Sequence, residues 1–419
     1  MKKWLVTATA AVATAALLAG CSSSNTAGTA DDKDVTLTYG VWSQDDTMQA
    51  LIDAFEKENP TIKVDLQVSP FQDYWTKLQV EASGGTAPDA FWMLGDRFQL
   101  YASNDQLLNL DDAIKDADVD MSVYPKPLVD LFNYDGHQFG LPKDFDTIGL
   151  WYNKAIFAEA GVEVPTDDWT WDDLTTAAQS ISDALADSGI YGVAAGMDGQ
   201  TTYYNPIFQA GGEVIAGDGT ESGYDSDASR EGLTFWSDLI ESGASPSMEQ
   251  LTDTPADQWF TSGKLAMYYG GSWARAAIGS SDVKDDVDVA PLPAGKEKAT
   301  VIHGVANVVA ANSKNKQAAQ ALQVYLASKE AQEQQGDMGA IIPAFEGTQA
   351  AFAESYPGMN LQVFLDATAY ARPLPVSKNS AAWNALEAKL LPDVFSDGSK
   401  ASSVTKDLGS QMSALLAKE

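Results

Sequence analysis

The side chains best suited to bind a ligand are two tryptophans and an acid–arginine pair, each of which follows a strand-like segment. Trp42 follows one such segment, and Asp96 and Arg97 follow another. Trp273 follows a third, after two glycines that let the backbone approach a neighbour closely. An indole ring packs on apolar surface, whereas carboxylate and guanidinium groups bond to hydroxyl groups. These residue types indicate noncovalent binding of a molecule that has both kinds of surface.

The first part of the chain alternates strand and helix patterns at the spacing of a parallel sheet. Strand patterns cover 35–42, 62–68 and 89–93, and helix patterns with apolar residues three or four apart begin near Met48 and Trp75. Such strand–helix–strand units have right-handed crossovers, which makes the strands parallel. In open parallel sheets the ligand site lies beyond the carboxyl ends of the strands. Trp42 and the segment Asp96-Arg97-Phe98 occupy those ends and are therefore site candidates by position.

Both candidates also have an ordinary structural explanation. Asp96 is placed to cap a helix over 97–103, because an aspartate side chain accepts free N–H groups at a helix start. Trp42 is placed to be an aromatic of the core or of its rim. The sequence leaves these alternatives open.

The first 33 residues predict an export signal followed by a tether. A basic start precedes an apolar run over 4–18, which is too short to span a bilayer as a stable helix. Cys21 follows Leu-Ala-Gly and resembles the lipobox of bacterial lipoproteins, in which this cysteine becomes the first mature residue and carries the lipid. The alternative is an ordinary cleaved signal with an incidental cysteine. Residues 1–20 are thus predicted to be removed, and the polar residues 21–33 to form a flexible tether.

The composition excludes several classes of function. The 419 residues include 26 Lys and Arg against 59 Asp and Glu, a formal net charge of −33, so the surface repels nucleic acid. Cys21 is the only cysteine, so no intramolecular disulfide can form, and two histidines leave little for a transition-metal site. We expect no metal and no cofactor. Charges or glycines interrupt the later apolar stretches, so no transmembrane helix is predicted after the signal.

The remainder of the chain predicts a second lobe and a return to the first. About 400 residues without the signal exceed what one hydrophobic core usually serves. Alternation at Ile148, Leu150 and Tyr152 predicts a strand where the chain leaves the first lobe, and a strand over 301–310 followed by a helix over 317–328 predicts its return. The predicted lobes comprise 34–145 with 303–347, and 146–302 with 348–419.

Several segments, taken in their order and spacing, carry a family resemblance. They are the lipobox with its tether and the segments 35–64, 88–92, 140–154 and 270–273. Together they span most of the mature chain. They resemble the extracellular solute-binding proteins of ABC importers, in the carbohydrate-binding group to which the maltodextrin-binding protein belongs.

The resemblance implies an α/β fold of two lobes, each a mainly parallel sheet flanked by helices, joined by hinge strands and closing over a sugar. It places sugar-contacting positions at Trp42, Asp96, Arg97, Asp146, Tyr203, Tyr204 and Trp273, and residues near the cleft at His303, Gly304 and Arg372. This chain carries one extra residue before Asp96. Trp383 aligns with another family aromatic or else lies in the core. A pyranose packs its apolar face on such rings, and its hydroxyl groups pair with carboxylate and arginine groups.

The function implied is that of a substrate-binding lipoprotein of an ABC transporter, not an enzyme. It would capture a sugar, an oligosaccharide, because the ligand stabilises the closed lobes, and would deliver it to the transmembrane subunits of the permease. The resemblance further implies a monomer outside the cytoplasm, anchored to the membrane through lipidated Cys21.

Three other functions are possible for a secreted protein of this composition. A secreted glycoside hydrolase needs a carboxylate pair across a cleft, and no motif sets two acids together, although 59 acidic residues leave room for such a pair. A binder of a phosphorylated polyol, peptide or metal is disfavoured because the candidate cleft is aromatic and acidic. A purely structural surface lipoprotein would not need the predicted hinge.

Overall fold

The structure is a computed structural model that describes residues 34–43, 46–217, 219–337, 339 and 341–419. The predicted signal, Cys21 and the tether therefore lie outside the described residues. Across the described ranges, no helix combines the length and the apolar character that crossing a membrane requires.

Strands and helices alternate along most of the chain. The strands are β1 (Val35–Val41), β2 (Ile62–Val68), β3 (Ala90–Leu94), β4 (Asn133–Tyr134), β5 (His137–Gln138), β6 (Gly140–Asp146), β7 (Ile148–Asn153), β8 (Tyr191–Ala195), β9 (Ile215–Ala216), β10 (Glu221–Ser222), β11 (Leu265–Gly271), β12 (Val287–Pro291), β13 (Thr300–Val309), β14 (Ile342–Pro343) and β15 (Ala371–Pro373). The α-helices are α1 (Asp46–Glu58), α2 (Phe71–Gly84), α3 (Gly95–Ser103), α4 (Asp111–Asp116), α5 (Lys126–Leu131), α6 (Lys154–Ala160), α7 (Trp171–Ala184), α8 (Tyr204–Gln209), α9 (Asp227–Glu241), α10 (Met248–Asp253), α11 (Ala256–Thr261), α12 (Ala274–Gly279), α13 (Lys316–Ala327), α14 (Lys329–Asp337), α15 (Ala350–Glu354), α16 (Gln362–Asp366), α17 (Ser380–Ser396) and α18 (Ala401–Leu416).

The first sheet has the strand order β14-β6-β13-β3-β1-β2, and β15 adds to β13. β1 is parallel to both β2 and β3, with α1 and α2 as the crossovers, so the predicted strand–helix alternation is confirmed. The helix pattern of α1 buries Leu51, Ile52 and Phe55 in the same core as Leu37 and Tyr39 of β1. β13 arrives from the second half of the chain and runs antiparallel between β3 and β6.

The second sheet has the order β12-β7-β11-β8. β11 is parallel to β8 and antiparallel to β7, and β7 is antiparallel to β12. Its core contains Leu150, Tyr152 and Tyr269 from the strands and Leu174 and Ile181 from α7. The predicted strand at Ile148, Leu150 and Tyr152 is thus confirmed, and it pairs with the strand β11 that precedes Trp273.

The chain passes between the two sheets at buried threonines. Thr147 separates β6 in the first sheet from β7 in the second, and its Oγ1 donates to the carbonyl of Phe364 at 2.8 Å. Thr300 begins β13, and its Oγ1 accepts from the Ile148 N–H at 3.0 Å and donates to the Ile148 carbonyl at 3.1 Å. The crossing segments are therefore bonded to each other. The predicted lobe boundaries at 145–146, 302–303 and 347–348 stay a prediction.

Replacing Thr300 by valine is expected to lower the free energy of unfolding by about 2 kcal/mol, because valine has the same shape but leaves the buried Ile148 N–H without an acceptor. Urea unfolding measures the change. Thr252→Val is the matched control, since the Thr252 hydroxyl bonds to a carbonyl on an exposed helix surface. Equal losses in both variants would contradict the special role of the crossing.

Candidate functional site

The candidate residues of the first sheet lie where its parallel strands have their carboxyl ends, a border that we call the carboxyl-end edge. Trp42 directly follows β1, and Gly95 to Arg97 follow β3. Asp146 ends β6, and His303, near the start of antiparallel β13, is its directly opposed partner. Chain direction and register thus bring segments that are far apart in sequence to the carboxyl-end edge expected for a ligand site.

Five aromatic side chains form what we call the aromatic wall: Trp42, Phe71, Tyr74, Trp75 and Trp92. The centroid of the Trp42 ring lies 5.7 Å from Phe71, 5.3 Å from Tyr74, 5.7 Å from Trp75 and 4.8 Å from Trp92. Phe71 is 42 % exposed, whereas Tyr74, Trp75 and Trp92 are buried. Trp42 itself is partly buried and packs against the other four rings.

Of the five rings, only Trp42 is a ligand-site candidate from the sequence. Phe71 and Trp75 belong to α2, whose first residues follow the carboxyl end of β2, so the rule applied to Trp42 could have found them. Trp92 lies inside β3, where its direction depends on the fold. Its Nε1 donates to the Tyr39 hydroxyl at 2.7 Å, and the Tyr74 hydroxyl donates to its carbonyl at 2.6 Å.

Polar atoms that make no hydrogen bond border the aromatic wall, and an ion pair among these residues joins Arg97 Nε to Asp96 Oδ2 at 3.9 Å. Asp96 Oδ1, Arg97 Nε and Trp75 Nε1 are buried and make no hydrogen bond. The Arg97 guanidinium carbon lies 4.7 Å from the centroid of the Trp75 ring. Buried polar atoms are normally paired, so this group is suited to bonding a ligand with donors and acceptors.

The alternative that Asp96 is the N-cap of a helix over 97–103 is wrong, because the helix already begins at Gly95 and no side chain caps it. Leu94 is the N-cap residue of α3, and Asp96 lies in its first turn. Burial raises the pKa of Asp96, and the Arg97 charge and the N–H groups of residues 96 and 97 oppose that rise. The carboxylate thus interacts with the helix start and still leaves Oδ1 free.

Asp146 connects the first sheet to the segment that carries Trp273. Ser272 Oγ donates to Asp146 Oδ1. Trp273 is 41 % exposed, and a Cβ on Gly271 would lie 1.9 Å from its ring, so a larger residue at 271 would displace the indole. Burial and the nearby Asp144 carboxylate raise the pKa of Asp146 to about 7, against the opposing effects of the Ser272 bond and Lys143.

The two neighbouring candidates on β13, His303 and Gly304, contact the backbone of other elements of the first sheet. His303 is buried, and its Nε2 accepts from the Gly95 N–H at 3.0 Å, which fixes the start of α3. Burial lowers the pKa of His303 to about 4, so the ring is neutral at pH 7. A Cβ on Gly304 would lie 2.4 Å from the Asp144 carbonyl oxygen, so Gly304 permits the close packing of β13 on β6.

Asp146→Asn tests the buried carboxyl. The pKa of Asp146 in the folded protein, about 7, is above that of an unfolded aspartate, about 3.9. The stability it contributes is therefore complete below about pH 4 and is lost as the pH rises through about 7. Asparagine does not ionise, so the unfolding free energy of the variant relative to wild type should rise across this range. Urea unfolding at several pH values measures it, and a constant difference would contradict the shift. His303 is present in both proteins, so its titration cancels.

Three other predicted site residues are engaged away from this edge. Tyr203 and Tyr204 are buried, and their hydroxyl groups donate to Glu387 on α17. Arg372 is exposed and pairs with Glu297 at 3.0 Å. A ligand contact by any of the three stays a prediction. Trp383, for which the sequence left two alternatives, is fully buried in the core of the second sheet.

The described residues offer no group of three or more His, Cys, Asp or Glu side chains that could hold a metal ion. The arrangement at the edge is instead an aromatic surface with unpaired polar atoms beside it. Such a surface can hold a neutral molecule noncovalently by ring packing and hydrogen bonds.

Comparison with protein families gives a match over most of the chain. Residues 41–333 match the family described as bacterial extracellular solute-binding protein. Among curated relatives, the galactooligosaccharide-binding protein of Bacillus subtilis is 27 % identical over 302 residues, which cover 69 % of this chain and 68 % of that protein.

Solved structures resemble this chain over nearly its whole length. An ABC substrate-binding protein of Listeria monocytogenes, solved in complex with cycloalternan, is 29 % identical with a TM-score of 0.85, covering 92 % of this chain and 99 % of that one. The GacH receptor of Streptomyces glaucescens, solved unliganded and with acarbose, is 26 % identical with a TM-score of 0.81, covering 91 % and 98 %. The predicted two-lobed α/β fold is confirmed by this likeness.

Proposed function

The chain belongs to the bacterial extracellular solute-binding protein family, and from this premise we propose that it captures an oligosaccharide between its lobes and delivers it to the permease of an ABC importer. Members of this family bind substrates for transport and are not enzymes. Because the family is extracellular, the protein works outside the cytoplasm. The ligand, the site residues and the mode of anchoring are the parts that we propose.

The observation that carries the proposed ligand is the aromatic wall with its unpaired polar atoms. A pyranose offers an apolar face to a ring such as Trp42 and hydroxyl groups to Asp96 Oδ1 and Arg97 Nε. These two atoms are a hydrogen-bond acceptor and a hydrogen-bond donor, which suits a hydroxyl group because it both donates and accepts. The ligands of the similar proteins, cycloalternan and acarbose, support the same class of molecule.

Trp273 supports a site shared by both lobes. It follows β11 of the second sheet, and its neighbour Ser272 is bonded to Asp146 at the edge of the first sheet. A sugar that touches Trp42 on one side and Trp273 on the other gains contacts only when the lobes are closed. Such differential contact is what lets a ligand shift a conformational equilibrium.

We also propose that the protein is a monomer held at the membrane by a lipid on Cys21. The basis is the sequence alone, with its apolar run over 4–18 and the Leu-Ala-Gly before the cysteine. Treatment of intact cells with a detergent, compared with high salt, would separate a lipid anchor from a peripheral contact.

Titration calorimetry of the purified protein against monosaccharides, linear maltooligosaccharides, galactooligosaccharides and cyclic glucans tests the ligand class. We expect saturable binding of at least one oligosaccharide, with the sugar recovered intact afterwards. Binding of a phosphorylated or peptide ligand in place of every neutral sugar would overturn the proposal.

A further inference from the structure

A β-bulge in β6 places two charged side chains beside each other near the aromatic wall. Asp144 is opposite Val305 of β13, but Pro142 is opposite Ala306, so Lys143 is the extra residue. A bulge interrupts the strict alternation of a strand and redirects a side chain. As a result Lys143 Nζ lies 2.6 Å from Asp144 Oδ2, although the two residues are adjacent.

This ion pair lies inside the protein. Lys143 and Asp144 are each 5 % exposed, and Asp144 Oδ1 accepts the Val305 N–H at 3.0 Å. The carboxylate is therefore bonded on both oxygens. A buried ion pair is, however, seldom more stabilising than apolar residues of the same size, because desolvation offsets the attraction. Fold stability alone gives little reason for its presence.

The Lys143 ammonium group contacts the aromatic wall. Nζ lies 4.5 Å from the centroid of the Trp92 ring. The ring edge is held by the bond from Nε1 to Tyr39, and the ring meets Trp42 at a centroid distance of 4.8 Å and an angle of 73°. Trp92 is thus fixed at its edge by Tyr39 and at its face by a cation, and it supports the half-buried Trp42.

We propose that the Lys143–Asp144 pair is a positioning element of the sugar site, which holds Trp92, and through it Trp42, in the orientation that receives the ligand. The inference rests on the proposed function, because it concerns the same wall. Lys143 acts through Trp92 and needs no contact of its own with the sugar. Asp144 keeps the ammonium group in place over the ring.

The decisive variant is the double change Lys143→Met and Asp144→Asn. It retains the volume of both side chains and leaves no unpaired charge in the interior. A single change at Lys143 would leave the buried Asp144 carboxylate without its partner. For a sugar that the wild type binds, we expect Kd to rise about tenfold, in the range of a desolvated cation–ring contact. Lys143→Arg keeps a cation beside the ring and is expected to remain within about threefold of wild type.

The matched control is Lys126→Met with Asp130→Asn, an exposed pair of the same residue types. Its Kd should equal that of wild type. Urea unfolding of every variant separates the two roles, because a purely structural pair would change the free energy of unfolding and leave Kd unchanged.

The outcomes distinguish this inference from the proposed function. If the wild type binds no sugar, the proposed function fails. If the wild type binds and the folded double variant binds equally well, the inference is overturned. If the double variant does not fold, Lys143→Gln with Asp144→Asn decides, because it also leaves no unpaired buried charge and the asparagine oxygen can still accept the Val305 N–H. A threefold or larger rise in Kd then supports the inference, and an unchanged Kd overturns it.

Discussion

Trp273→Ala is expected to weaken oligosaccharide binding about 30-fold while the folded protein keeps its stability. The ring is 41 % exposed, so its removal leaves no cavity in the core. A sugar that covers roughly 80 Å² of indole gains about 2 kcal/mol at about 25 cal/mol per Å², which corresponds to about 30-fold in Kd. Calorimetry measures Kd, and urea unfolding measures stability.

Two further variants control this result. Trp273→Phe keeps an aromatic face and should lose only about threefold, since most of the ring packing remains. Val164→Ala removes an apolar side chain of comparable exposure, 38 %, that lies outside the candidate site, and should leave Kd unchanged. Unaltered affinity in Trp273→Ala would remove the stacking contact from the proposed site. Trp42→Ala should also weaken binding, but it takes a ring from a packed cluster and therefore lowers stability as well.

Glu387→Ala is expected to lower the free energy of unfolding by about 4 kcal/mol. The carboxylate of Glu387 is buried and accepts the hydroxyl groups of Tyr203 at 3.2 Å, Tyr204 at 2.9 Å and Tyr224 at 2.5 Å. Alanine leaves three buried hydroxyl groups without their acceptor and adds a cavity. These bonds join α17 to Tyr203 and Tyr204 at the start of α8 and to Tyr224 just before α9, so their loss affects the whole second core.

Two further variants, Glu387→Gln and Lys389→Ala, test whether the loss of stability comes from the hydrogen bonds of Glu387. Glutamine keeps one acceptor oxygen and most of the volume, so we expect a loss of about 1–2 kcal/mol. Lys389 is exposed on the same helix, and its change to alanine tests the contribution of the helix alone. If Glu387→Ala and Lys389→Ala had similar free energies of unfolding, the three tyrosine bonds to Glu387 would not contribute to the stability of the fold.

The same network shows where sequence reasoning stopped. The resemblance places Tyr203 and Tyr204 at the cleft, but no local pattern indicates that an acid 183 residues after Tyr204 accepts both hydroxyl groups. Arg372 was placed near the cleft through the hinge strand, and β15 does pair with β13, yet its guanidinium group is exposed and paired with Glu297. In both cases the direction of a side chain was set by a partner distant in sequence.

The bulge at Lys143 is a second case of this kind. The segment 140–154 carries part of the family resemblance, which places Asp146 at the sugar site. An alternating strand would direct Lys143 and Asp144 to opposite faces. Only the register of β6 against β13, with its extra residue, brings them together beside Trp92.

The sequence by itself determined the strand and helix alternation, the exit from and return to the first sheet, and the position of Trp42, Asp96 and Trp273 after strands. Those features depend on periodicity and on chain order, which are local properties. Tertiary structure alone decided that Trp92 joins the aromatic wall, which polar atoms lack a hydrogen bond, and which residues pair with Lys143 and Glu387. The reason is physical: burial and hydrogen-bond pairing depend on contacts between residues 100 or more positions apart, such as Thr147 with Phe364 and Gly95 with His303.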